Sequence, residues 1–256
     1  MIKQGRQASI ATGIALFILA LGTFLFWDRI PAYDSTRYLH FADQRTLLGI
    51  PHALDVLSNL SFLWVGVWGL NQYLKSERAS RDLIFKAVLS GALILTAFGS
   101  AYFHWEPTPD RLFWDRLPMS LAFAAIIGWI VSDKSNFAFG ACCAVLCALV
   151  GAITLTLWKL GLGHLKLYYV LQFGGLLLGL GLCLFVPGRR FSNQAFLLGF
   201  ALYVVAKILE ERDTSIFVAT ELVSGHTLKH LVAAAAVFVF LRGRSHDYFA
   251  SPKIGS

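Results

Sequence analysis

The chain has 256 residues, 57% of them hydrophobic and only 14% charged, where a soluble domain of this size carries about 25% charged residues. That composition excludes an ordinary soluble globular protein, and the 21 Phe, 7 Trp and 22 Gly suit helices that face lipid, where aromatics gather at the interfaces and glycine is tolerated. The net charge of +7 does not point to nucleic acid, because the basic residues are scattered over short loops instead of forming a patch.

Apolar stretches long enough to cross a hydrocarbon core of about 30 Å run through residues 10–27, 55–74, 83–104, 115–132, 137–158, 167–186, 194–210 and 222–241. The loops between them are short, so the expected fold is all-α, a polytopic membrane helix bundle forming one membrane domain over 1–256. The first span follows Lys3 and Arg6, as a signal peptide would, but its apolar run is long and no small-residue cleavage site follows Phe26. It reads as an anchor.

Loop charge sets the expected orientation. Lys3, Arg6, Lys75, Arg78, Arg81, Lys134, Arg189, Arg190, Arg242, Arg244 and Lys253 fall on one side. Arg29, Arg37, Arg45, Arg111, Lys159, Lys166 and Arg212 fall on the other, together with most of the acids. Cytoplasmic loops carry the excess of Lys and Arg, so both termini are expected in the cytoplasm. Trp27, Trp105, Trp114, Trp158, Tyr168 and Tyr169 then fall at the outer level, as an interfacial aromatic belt. Cys142, Cys143, Cys147 and Cys183 lie inside spans at spacings unsuited to a metal or disulfide and read as packing residues. Gly175 and Gly179 read as a close helix contact.

The polar residues inside the spans carry the chemistry, since burying such groups in hydrocarbon is costly unless they are paired or hydrated. Ser100 and His104 lie four apart at the end of the third span, on one helix face. Asp115 opens the fourth span. His226 and His230, again four apart, lie near the start of the last, and Asp55, Ser58 and Asn59 open the second at the same level. At 1.5 Å per residue, His226 and His230 sit roughly 6 and 12 Å inside their span and Ser100 about 6 Å inside the end of its own. Three neutral imidazoles plus a water are the ligand set of a catalytic zinc site with its fourth position open.

Plainer readings apply to the other polar groups. His40, His52 and His164 read as interfacial and His246 as solvated. Lys86 reads as a snorkelling lysine, Lys207 and Glu211 as an i,i+4 ion pair, and Lys229 as pointing away from both histidines of its helix. Arg111 and Arg116 flank Asp115, and either can pair with it or with an anionic head group.

The stretches Asp55-Val-Leu-Ser-Asn59, Gly99-Ser-Ala-Tyr-Phe-His104, Arg111-Leu-Phe-Trp-Asp115-Arg-Leu-Pro-Met119 and Ser224-Gly-His-Thr-Leu-Lys-His230 resemble those of the alkaline ceramidase family. That family is part of a superfamily of seven-helix membrane zinc hydrolases that includes the adiponectin receptors. The resemblance covers about residues 50–245 and implies a seven-helix core, with residues 10–27 as an additional N-terminal transmembrane helix. It implies zinc bound by His104, His226 and His230, catalysis by Asp115 with Ser100 near the zinc, and hydrolysis of a ceramide or related N-acyl lipid to a sphingoid base or amine and a fatty acid. The active site would then face the outer side, and the partner would be a lipid amide drawn from the bilayer. Animal members carry an acidic, Trp-containing calcium-binding segment before the first core helix. Residues 28–44 have Asp34 and Asp43 but not that pattern, which puts calcium in doubt. Two other functions suit the same residues: a receptor-like or structural protein with a structural zinc, and a proton-coupled transporter using His and Asp as a relay.

Overall fold

The computed structural model describes residues 2–30, 39–76, 83–187 and 193–243, with backbone alone for residues 2–6. Asp34, Arg37, Arg78, Arg81, Arg189, Arg190, Arg244, His246 and Lys253 lie outside the described residues, as do the side chains of Lys3 and Arg6. The described residues form a polytopic helical bundle without strands. Seven spans are long and apolar enough to cross a membrane, and an eighth is reached if one bent helix pair is counted together. The protein is an integral multi-pass membrane protein.

The spans lie close to where hydropathy puts them. They begin with α1 (Ile2–Leu25), α2 (Ala53–Leu57) with α3 (Leu60–Leu74), α4 (Leu83–Trp105), α5 (Pro109–Lys134) and α6 (Phe137–Lys159). After these come α7 (Lys166–Tyr169), a π-helical turn (Val170–Gly174), α8 (Gly175–Phe185), α9 (Asn193–Glu211), α10 (Asp213–Thr220) and α11 (Gly225–Arg242). Three differences from the hydropathy reading matter. The second span breaks at Ser58 and Asn59, whose side chains donate to the Asp55 carbonyl at 2.9 and 2.8 Å. Such local bonds compete with the helix. The fourth span begins at Pro109, not Asp115, because Thr108 caps it by accepting from the Arg111 amide and proline suits the first helical position. Asp115 therefore sits about 9 Å inside the helix. The last span is reached only when α11 is taken with α10, to which it is bent by 111°.

Helix α5 is the hub, with 72% of its apolar window buried, and packs against α4, α6 and α8. Helix α11 joins α9 to α3 on the far side. Only 6% of the corresponding window of α1 is buried, and that helix leans on α5 and α8 from outside. Cys143 and Cys183 pack in the apolar core and no disulfide forms. Gly175 and Gly179 lie against Ile127 and Ile130 of α5. Tyr168 and Tyr169 do not join an aromatic belt: they are buried against Leu155 and Leu165, whereas Trp105 and Trp114 are exposed. The Lys86 ammonium reaches the Leu241 carbonyl at 3.5 Å and lies over the Trp129 ring.

Candidate metal centre

His104, on the last turn of α4, meets His226 and His230, on the first two turns of α11. All three are buried, and one ligand-competent atom from each lies within 4.8 Å of the others. The Nε2 atoms of His104 and His226 stand 3.2 Å apart. Two nitrogens bound tetrahedrally to one zinc at 2.0–2.1 Å would stand about 3.3 Å apart, so the spacing fits a shared cation. Ser58 fixes the third ring. Its hydroxyl donates to the Asp55 carbonyl and lies 2.7 Å from His230 Nδ1. With that proton committed, His230 carries its own on Nδ1 and keeps the Nε2 lone pair for a ligand. His104 Nδ1 is buried and has no hydrogen-bond partner among the described residues. The donor set suits a metal ion, and the cluster could hold one.

Two glycines place these side chains. A Cβ on Gly99 would collide with the Trp114 carbonyl, so α4 and α5 cross in close contact one residue before Ser100 and one before Asp115. A Cβ on Gly225 would meet the Leu209 carbonyl and the Asp213 backbone, which brings the start of α11 against α9 and α10. Two amides of the first turn of α11 are then capped, and Asp55 braces the capping hydroxyls. Ser224 accepts from the Thr227 amide at 3.0 Å. Asp213 Oδ1 accepts from the His226 amide at 2.7 Å. Asp55 Oδ1 accepts from the hydroxyls of Thr227 at 2.6 Å and Ser224 at 3.1 Å. Otherwise orphaned amides of the first turn find acceptors, and carboxylates at that end suit the helix dipole.

A loop covers this end of the cluster. Phe41 stands edge-on to His104 and His226, with both centroid distances 4.6 Å, and the Ala42 amide donates to the other oxygen of Asp213 at 2.9 Å. Arg45 grips both oxygens of Asp43 at 2.8 and 2.7 Å and donates to the carbonyls of Glu221 and Leu222 at 3.0 and 2.6 Å. The Arg45 hydrogen bond holds the Asp43 carboxyl below the usual carboxylate range. His52 Nδ1 lies 3.2 Å from the Asp43 carbonyl oxygen, and the His52 ring faces the edge of Phe41. His40 and His164 are exposed.

Below the cluster, a partly open cavity runs between α4, α5, α9 and α11. Ser100, Asp115 and His230 share its polar end, and Met119, Phe123, Leu176, Phe196, Val237 and Phe240 line its apolar body. From His230 to Phe240 the wall of α11 descends about 15 Å. Arg116 is the arginine that pairs with Asp115, at 3.6 Å, while Arg111 pairs with Glu106 at 2.6 Å. Two expectations fail here. Lys207 pairs with Glu210, not Glu211. Lys229 does not point away: its ammonium is 2.9 Å from His226 Nε2 and 3.1 Å from Glu210 Oε1. Three residues along a helix bring it back to within about 60° of His226, close enough for a long side chain to reach.

The sequence reading missed Phe41, Asp213 and Glu210. Phe41 and Asp213 reach the site from loops and helices distant in sequence, with no local pattern to mark them. Compared with protein-family models, curated proteins and solved structures, the chain matches none.

Proposed function

We propose that the protein is a zinc-dependent membrane amidohydrolase of the ceramidase kind, which cleaves the amide of a ceramide or related N-acyl lipid. The observation that carries this reading is the buried three-histidine cluster at the polar end of a long apolar cavity whose wall also holds Asp115 and Ser100. The motif resemblance to alkaline ceramidases supports it further. His104, His226 and His230 would hold a zinc ion, which would supply a Lewis acid able to activate water near neutral pH.

The chain's own residues supply the rest. The apolar body of the cavity takes the acyl chain and presents its carbonyl carbon at the level of Asp115. Asp115 accepts the proton of the attacking water and returns it to the amine nitrogen as the C–N bond breaks. Ser100 donates to the carbonyl oxygen as negative charge develops there. Arg116 pairs with Asp115 and orients it. The loop of Phe41 and Arg45 excludes bulk water, and substrate enters from the bilayer side. In this reading the termini are cytoplasmic and the cluster lies toward the outer face.

The test is hydrolysis of a defined N-acyl lipid by the detergent-purified protein, followed as release of fatty acid. Activity that a chelator abolishes and zinc restores is expected. Hydrolysis that persists through complete chelation would contradict the zinc reading.

A further inference from the structure

The polar end of the cavity carries more positive charge than the chemistry above uses. Arg116 is matched by Asp115, but Lys207 and Lys229 share the single carboxylate of Glu210. All three line the cavity, on facing turns of α9 and α11 and beside His230. Each ammonium has three donors. Lys207 gives one to Glu210, and Lys229 gives one to Glu210 and approaches His226 Nε2 with another. Among the side chains lining the cavity, two half-buried ammonium groups face one carboxylate above apolar walls, an excess of one positive charge that is costly until an anion joins them. A neutral ceramide head group offers none.

We propose that Lys207 and Lys229, bridged by Glu210, form a subsite for an acidic lipid head group. The preferred substrates are then N-acyl lipids bearing a carboxylate beside the amide, N-acyl amino acids being the simplest. The role in turnover rests on the hydrolase reading, but the binding does not. Glu210 holds the two lysines apart and in place, and an incoming carboxylate completes an alternating row of charges.

The experiment compares binding of N-dodecanoylglycine, N-dodecanoylethanolamine and dodecanoate to the full-length, chelator-treated protein in detergent, where no turnover complicates the reading. Wild type is expected to bind the acylglycine at least about tenfold more tightly than the neutral amide, the range of a charge-assisted hydrogen bond. Lys207→Met and Lys229→Met should each remove most of that preference and leave neutral-amide affinity unchanged. Glu210→Gln should tighten acylglycine binding. Equal affinity for acidic and neutral amides, or a preference that survives both lysine substitutions, would overturn the subsite. Dodecanoate bound as tightly as acylglycine, with the same lysine dependence, would also overturn it, since the lysines would then serve the product carboxylate. Lysine-dependent acylglycine binding without hydrolysis of any amide would retain the subsite and reject the hydrolase.

Discussion

The two sides of the bundle are built on opposite principles. Between α4, α5 and α6 small residues bring the backbones together: Gly99 lies on the Trp114 carbonyl, Gly128 on Gly140 and Ala144, and Gly151 on Ser120. Between α5 and the α9–α11 pair large residues hold the helices apart, with Phe123, Phe196, Tyr203 and Phe240 around an open cavity, although α9 and α11 themselves meet closely where Gly199 lies on the Ala236 carbonyl. Close backbone approach is how membrane helices associate without a hydrophobic driving force, so the first side is rigid by construction and the second is roomy. Ser100, His104 and Asp115 all ride on the rigid side. His226 and His230 ride on the roomy side, held in place by the Asp213 cap on the His226 amide and the Asp55 bond from the Thr227 hydroxyl.

That contrast can be broken at several points. Asp115→Asn keeps the shape of the rigid wall but removes its base, and should lower turnover by about 10² to 10⁴ with metal content unchanged. Wild-type turnover in a steady-state assay would remove Asp115 from the chemistry. Ser100→Ala should cost about 10² to 10³ in rate as a lost oxyanion donor; an unchanged rate would leave Ser100 a packing residue. Gly99→Val forces α4 away from the Trp114 carbonyl and should destabilise by about 1–3 kcal/mol, seen as a lower thermal midpoint in detergent. No change in midpoint would mean the crossing is looser than the contact implies.

The smallest effect is expected outside the membrane spans. Arg45 depresses the Asp43 pKa below its ordinary value near 3.8. The tie therefore contributes fully above that ordinary value and is lost only as pH falls through the lower, folded value. Hydrogen exchange across residues 39–52, corrected for intrinsic rates, should stay flat from pH 7 to about 5 in wild type and be faster throughout in Arg45→Gln. Equal exchange in both proteins would show that Arg45 does not hold the cover.

Much of this was legible in the chain. Hydropathy locates the spans because crossing a bilayer demands length and apolarity together, and i,i+4 spacing exposes the His226–His230 pair. What was hidden had physical reasons. Arg212, Asp213 and Glu221 at the ends of α10 hide that helix as a loop. The Thr108-Pro109-Asp110 start of α5 was readable as a cap, and reading it would have set Asp115 at its true depth. The pairing of Glu210 with two lysines follows from how α9 and α11 face each other, which no local pattern encodes.

The most direct measurement is the zinc content of detergent-purified protein, wild type beside His226→Ala and Ser100→Ala. About one zinc per chain in wild type and Ser100→Ala, and none in His226→Ala, is the result expected of a three-histidine site with one open position. Well-folded wild type that takes up no zinc when it is supplied, or His226→Ala that keeps its full complement, would contradict it.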